Sequence, residues 1–366
     1  MKNIIILLSF ILFVGCGTQT TFLHKNDEAT PTPAPTTPPT WTSLEAIVGV
    51  ENTTRLAVYN ETPYVAYQNA SSVYIKKYVS NSWEDLDSLT DGYITANKNI
   101  DLFIYGGDPY IVYQNSVTPQ NLLIKKYHNG WSNVSTLLNV FYEVGGVVYG
   151  NPDIRANPLM QIDTNGDILV LLANEGAATP TPGSPYLYNS SVGTSLVNEG
   201  VFEYDMKIYN NITYVVYKQA NGVLVGYSYL KNGTIFKSFP NLGNSISTPK
   251  IYVNGDSTFY LVYSDKDTTK LVVKNCNISS CVTLTDDLLE DNVTEFSLSN
   301  FNGKLYIAAI GTDQLVKVLS YSNTWEEIGS FNIQATFPKI DATSGVLYVS
   351  FITIDGSNTL HIRKYE

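Results

Sequence analysis

A short run of apolar residues recurs along the chain. It reads PYVAY at 63–67, PYIVY at 109–113, DILVL at 167–171, TYVVY at 213–217, FYLVY at 259–263, LYIAA at 305–309 and LYVSF at 347–351. With the second residue of each run as a marker (Tyr64, Tyr110, Ile168, Tyr214, Tyr260, Tyr306, Tyr348), the spacings are 46, 58, 46, 46, 46 and 42 residues. Eight positions before the markers stand Leu56, Leu102, Met160, Met206, Tyr252, Leu298 and Ile340, all large and apolar. Turn-forming pairs lie between, such as Asn60-Glu61, Gly106-Gly107, Asn165-Gly166 and Asn302-Gly303. Two apolar runs about a Gly/Asn turn predict a β-hairpin. A third run follows each marker: VYIKKY, LLIKKY, PYLY, VLVGYSY, KLVVKN, LVKVLSY and LHIRKY. A fourth opens on Trp in SWEDL, GWSNV and TWEEI, with GTSLV, TIFKSF and CVTL in the same place elsewhere.

Each of the seven units therefore holds four short strands in about 46 residues. One such sheet cannot bury both its faces, whereas seven packed radially bury them and leave only short edges. The predicted fold is all-β: a seven-bladed β-propeller with four antiparallel strands per blade, occupying residues 40–366. The last unit ends at Glu366 after its third strand, and TWTSLEAI at 40–47 reads as an orphan fourth strand with Trp41 in the place of Trp83. That strand is expected to join the last blade and close the ring. The succession PYVAY, IKKY, SW is similar to the repeats of bacterial surface propellers in the broad sialidase-like and Kelch-like grouping. The resemblance implies blades and no particular chemistry.

The first residues point to export. Lys2 precedes an apolar run from Ile4 to Val14, the size of a signal-peptide core and too short for a membrane span. It ends in Phe13-Val14-Gly15-Cys16, which resembles the bacterial lipobox, with Phe13 where Leu is usual. The resemblance implies a signal peptide at 1–15, lipidation of Cys16, and a membrane-anchored lipoprotein of the cell envelope. Gly17 after the lipid-bearing Cys favours the outer membrane. Residues 16–39 include PTPAPTTPPT, which stays extended and reads as a tether. In an exported chain, Cys276 and Cys281 are expected to form a disulfide pinning a hairpin.

Composition narrows the function. Net charge is −11, from 22 Lys+Arg against 33 Asp+Glu, and no basic run lies outside the extreme N-terminus. This argues against a nucleic-acid partner. The three histidines (His24, His128, His361) have no neighbour at metal-ligand spacing, and no HExxH, GxSxG or phosphate-binding glycine loop is present. No metal and no cofactor is expected. Sialidases carry an arginine triad and Asp-box turns, but this chain has only Arg55, Arg155 and Arg363 and no Asp-box. Asp265 and Asp267 in SDKD read as a solvated turn rather than a Ca²⁺ site. The Tyr and Trp series read as packing between sheets rather than sugar pockets.

The repeat departs from itself after unit two. The 58-residue spacing places an insertion near 139–153, NVFYEVGGVVYGNPD, and a long loop, ANEGAATPTPGS, follows at 173–184. Insertions in repeat proteins map to loops that carry function. The candidate binding residues are Tyr142, Glu143, Tyr149, Arg155 and Glu175, with no catalytic residue assigned. The expected function is a non-enzymatic binding or adhesion propeller with a protein or glycan ligand. The alternatives are a periplasmic scaffold for envelope assembly and a sialidase-like glycan-active enzyme of atypical site.

Overall fold

The computed structural model describes residues 39–51, 54–69, 72–89, 100–114, 122–137, 142–144, 147–149, 158–173, 185–189, 193–196, 201–230, 234–239, 241–255, 258–277, 279–284, 292–293, 295–301, 303–343 and 346–366. The expected signal peptide, Cys16 and the expected tether up to 38 lie outside them. Among the described residues no helix is long and apolar enough to cross a membrane.

The strands follow the repeat. Trp41–Ser43 is β1, and unit one is β2 (Thr54–Tyr59), β3 (Thr62–Asn69), β4 (Ser72–Val79) and β5 (Ser82–Leu89). Unit two is β6 (Asp101–Tyr105), β7 (Asp108–Gln114), β8 (Leu122–Tyr127) and β9 (Trp131–Leu137). The inserted segment forms β10 (Tyr142–Val144) and β11 (Val147–Tyr149). Unit three is β12 (Leu159–Ile162), β13 (Ile168–Ala173), β14 (Pro185–Asn189) and β15 (Gly193–Leu196). Unit four is β16 (Val201–Tyr209), β17 (Ile212–Gln219), β18 (Leu224–Tyr229) and β19 (Ile235–Phe239). Unit five is β20 (Lys250–Gly255), β21 (Thr258–Ser264), β22 (Leu271–Asn277) and β23 (Cys281–Thr283). The remainder is β24 (Glu295–Phe301), β25 (Lys304–Ile310), β26 (Leu315–Tyr321), β27 (Trp325–Thr343), β28 (Val346–Thr353) and β29 (Leu360–Tyr365).

Turn chemistry sets the hairpins. Asn60 and Glu61 (φ 46° and 62°), Gly106 and Gly107 (61° and 88°), and Asn210 and Asn211 (48° and 60°) are left-handed at both central positions. Such two-residue turns match the twist of the strands they join. Asn and Gly adopt that conformation readily, and Glu61 is the exception.

Units one to five are separate four-stranded antiparallel sheets, each in chain order. β10 and β11 form a two-stranded sheet of their own, and β1 with β24–β29 forms one seven-stranded sheet, ordered β1-β29-β28-β27-β26-β25-β24, because β27 pairs along its first part with β26 and along its second with β28. β1 lies on β29 with Trp41 opposite Tyr365. Only Trp41–Ser43 of the expected 40–47 strand is regular. Leu44 continues along β29 through one bond from its N–H to the Ile362 carbonyl (3.0 Å), and Ile47 forms an isolated bridge with Leu360, donating to its carbonyl (3.0 Å) and accepting from its N–H (2.8 Å).

The cores lie between consecutive sheets, as a propeller requires. Tyr64, Ala66, Ile75 and Leu86 of unit one pack with Leu102, Ile111 and Tyr113 of unit two. Val346, Tyr348 and Leu360 pack with Val65 and Tyr67 of unit one, joined by Ile47 and Val50. The first strands contact one another in the order β2, β6, β12, β16, β20, β24, β27, and β27 also contacts β2. The fold is an all-β propeller.

The tryptophans clasp neighbouring units. Trp83, Trp131, Trp325 and Trp41 each face a tyrosine across a strand pair (Tyr78, Tyr127, Tyr321, Tyr365), with ring centroids 5.0, 5.2, 5.0 and 4.9 Å apart. Each indole N–H donates to a carbonyl of the preceding stretch of outer chain: Glu45 (2.7 Å), Leu86, Leu284 and Ile328 (2.6 Å each). These rings pack between sheets, as expected from the sequence. Cys276 and Cys281 are disulfide-bonded across the β22–β23 pair, also as expected.

Candidate functional site

A cavity of about 380 Å³ lies among the first strands of all the units. Register places its polar residues in two tiers. Arg55, Asp101, Leu159, Asp205, Lys250, Ser297 and Lys339 occupy one position of their strands, opposite Ala66, Val112, Leu171, Val216, Val262, Ala308 and Ser350. Ala57, Phe103, Gln161, Lys207, Tyr252, Ser299 and Asp341 occupy the next outward-alternating position. The cavity wall thus carries four cations (Arg55, Lys207, Lys250, Lys339) and three carboxylates (Asp101, Asp205, Asp341).

The register corrects one expectation. In units three and five the hairpin from this tier to its partner is one residue longer than elsewhere. The five residues Asp163–Asp167 make the turn in unit three, and a bulge between Val253 and Gly255 does so in unit five. Ile251 therefore takes the buried place expected for Tyr252, and Tyr252 turns to the cavity wall.

The carboxylates have a shared task. The first strands are splayed too far apart to pair, so their cavity-side N–H groups need other acceptors. Asp101 accepts from the N–H of Met160 (2.7 Å), Asp205 from Ile251 (2.9 Å) and Asp341 from Val58 (2.7 Å), each on the next unit's first strand. Ser297 and Ser299 accept likewise from Ile340 (3.2 Å) and Ala342 (3.1 Å). Glu295 accepts from the Thr336 hydroxyl (2.8 Å) and the Phe337 N–H. Asp101 also takes the Arg55 Nε–H at 2.9 Å, an ion pair with both side chains largely buried.

The lysines are different. Among the described residues, the side-chain amines of Lys207, Lys250 and Lys339 make no hydrogen bond or ion pair. Burial, and then the charges of Arg55 and Lys250, bring the Lys339 ammonium down to about 7. Burial also lowers Lys250, against the pull of Asp205. Burial pushes the Asp341 carboxyl up to about 6, opposed by its bond from Val58 and by Lys207. Among the described residues, no group of three or more His, Cys, Asp or Glu is placed to hold a metal ion.

The described candidates named from the sequence are not among the residues lining the cavity. Tyr142, Glu143 and Tyr149 lie on the two-stranded β10–β11 hairpin, with Tyr142 opposite Tyr149 and Glu143 opposite Val148. Arg155 and Glu175 lie outside the described residues. Asp265 caps its own turn, accepting from the N–H groups of Asp267 (3.1 Å) and Thr268 (2.9 Å), which is the solvated-turn reading. The cavity lysines escaped the sequence reading, although charged residues beside the apolar position of first strands were the signal for them.

No family model matches the chain, and no curated protein matches it. Solved structures do. Pyrococcus horikoshii acylaminoacyl peptidase matches with a TM-score of 0.53 at 8% identity, over 84% of this chain and 49% of that one. A mutant of Aleuria aurantia lectin in complex with Fucalpha1-6GlcNAc matches with a TM-score of 0.47 at 13% identity, over 73% and 91%. A mutant of AofleA from Arthrobotrys oligospora gives 0.48 at 9%, over 74% and 83%. At 8% identity the likeness to the peptidase is one of fold.

Proposed function

We propose that the chain is a lipid-anchored propeller of the bacterial cell envelope, sorted to the outer membrane, that binds a protein or glycan ligand without turning it over. The observation that carries the binding reading is the engagement of the cavity carboxylates. Glycoside hydrolysis needs two carboxyl groups free to exchange protons with substrate and water. Asp101 and Asp205 are instead tied to main-chain N–H groups of the next strand, which leaves Asp341 as the one cavity carboxyl that changes protonation near neutral pH. The signal-like run ending at Cys16 and the Pro/Thr-rich tether support display from a membrane.

In this reading the ring has seven blades, with β27 serving as the last strand of one and the first of the next. β1 completes the seventh. Two observations support that assignment: Trp41 repeats the Tyr–Trp pairing of the other outer strands, and its indole clasps Ile328 as the other indoles clasp their neighbours. The inserted hairpin with Tyr142, Glu143 and Tyr149, together with Arg155 and Glu175, supplies the ligand surface. Tyrosine suits it by combining apolar area with a hydroxyl.

The test is a screen of protein lacking residues 1–16 against glycan arrays and envelope extracts, alongside a turnover assay on the same glycans. Retention without turnover is the expected result. Turnover of a glycan with no retained ligand sinks the reading. Replacing 139–152 by a short turn should abolish retention while circular dichroism is unchanged, and undiminished affinity would remove the hairpin from the site.

A further inference from the structure

We propose that the central cavity is an anion site in which Arg55, Lys250 and Lys339 hold the oxyanion group, carboxylate or sulfate, of a small ligand. The inference does not depend on how the protein is displayed or on the inserted hairpin.

Three observations carry it. The first is placement. Lys250, Ser297, Lys339 and Arg55 come from consecutive units at one tier of the wall, so three cations sit side by side with only a serine between two of them. The two carboxylates of that tier, Asp101 and Asp205, flank Leu159 on the remaining arc. The second is what the charges are bonded to. Asp101 and Asp205 are directed to the main chain of the next strand, and Asp101 also holds Arg55 through Nε. The side-chain amines of Lys250 and Lys339 have no hydrogen bond or ion pair among the described residues. Both side chains are half-buried, and an ammonium drawn out of water without a partner is costly unless an anion joins it or it gives up its proton. The third is contrast. The chain is acidic overall, at −11, yet this cavity wall carries four cations to three carboxylates. Its volume, about 380 Å³, falls in the range of roughly 300–1,000 Å³ typical of small-ligand pockets.

The groups facing the site fix the pH response. Lys339 is surrounded by Arg55, Lys250, Glu295 and Asp101, and it holds its proton only up to about pH 7. Asp341, near Lys207, is charged above about 6. Raising the pH from 6 to 8 therefore removes one positive charge after a negative one has formed, and both changes oppose an anion. Conversely, an anion bound near pH 7.5 pulls a proton onto Lys339.

Sulfate and glucuronate are suitable probes because neither titrates in this range, and glucose serves as the neutral control. Calorimetric titration of the full chain should show both anions binding and glucose not. Affinity should be about tenfold weaker at pH 8 than at pH 6, as expected for a required group with a pKa of 7. Binding enthalpy near pH 7.5 should vary with the buffer's ionisation enthalpy, which reports proton uptake. Lys250→Met and Lys339→Met keep the stems and remove the charge, and each should weaken both anions at least about tenfold. Tighter glucuronate assigns the site to an acidic sugar, and tighter sulfate assigns it to an inorganic or ester anion. The proposal is overturned if neither anion binds the unmodified chain, or if glucose binds as well as glucuronate. It also falls if affinity is the same at the two pH values without proton uptake. The last two readouts use the unmodified chain, so they decide even if a variant does not fold.

Discussion

Asp101 answers two needs with one carboxylate. One oxygen takes the Arg55 Nε–H at 2.9 Å, and the other takes the Met160 N–H at 2.7 Å. Removing it leaves a largely buried guanidinium without its counter-charge, holding only the Nη1 bond to the Thr54 carbonyl, and a buried N–H unmatched. Asp101→Ala should therefore cost about 3 kcal/mol of stability in urea denaturation. Asp101→Asn keeps an acceptor for Met160 and should cost less. Equal losses for the two variants would show that the main-chain bond contributes nothing. Lys339 gives the opposite sign of effect. Its pKa falls to about 7 in the fold, so the unfolded chain binds more protons between pH 7 and the ordinary lysine value. Stability is then lowest below pH 7 and is regained as pH rises through that range. Asp341, raised to about 6, favours the fold at acid pH and loses that contribution as pH rises through 6. Lys339→Met, which removes the buried charge, should raise Tm more at pH 6 than at pH 9 in anion-free buffer. A Tm gain independent of pH would mean that the ammonium is not strained by burial.

At the level of elements, the sequence displays strands well and register less well. The second strands are buried on both faces, with Val65, Ala66, Ile111 and Val112 wholly enclosed, so they read as continuous apolar runs wherever they occur. Four outer strands announce themselves by Trp because the indole needs both a tyrosine across the ladder and a carbonyl on the neighbouring chain. Trp131→Phe keeps the ring contact with Tyr127 and removes the 2.6 Å bond to Leu86, so it should cost about 1 kcal/mol, read from the denaturation midpoint. Trp131→Ala should cost distinctly more, and parity between the two would assign the whole effect to the N–H. Register was harder to see because one extra residue in a hairpin leaves the apolar spacing almost intact. The five-residue turn at Asp163–Asp167 and the bulge near Val253 each shift the pairing by one. That shift exchanges Ile251 and Tyr252 between core and cavity, and a marker taken from the second strand does not sense it.

At the level of the molecule, a repeat is legible because the same solution is written several times, whereas the cavity is written once across distant segments. Arg55, Lys250 and Lys339 come together only when first strands from three units share a tier, and nothing local in RLAV, KIYV or PKID marks them as neighbours. The joining of the chain's two ends lies between these cases: TWTSLEAI shows its strand character, and the partner becomes evident only through the unit that lacks a fourth strand. This makes the N-terminal segment the most informative place to perturb the whole. Trp41 pairs with Tyr365, donates to Ile328, and lies so close to Gly329 that a Cβ there would come within 2.6 Å of its indole nitrogen. Ile47 and Val50 fill the core between the last unit and the first. Deleting residues 39–51 should strip the β29 edge, open that core and expose main-chain donors for intermolecular pairing. The expected outcome is a large fall in Tm, a broadened unfolding transition and concentration-dependent association in light scattering. A peptide of residues 39–51 added in trans should restore the transition, because the missing contacts are those of one short strand and two apolar anchors. If the shortened chain melts as the intact one does and stays monomeric, the N-terminal strand is an accessory to a ring that holds without it.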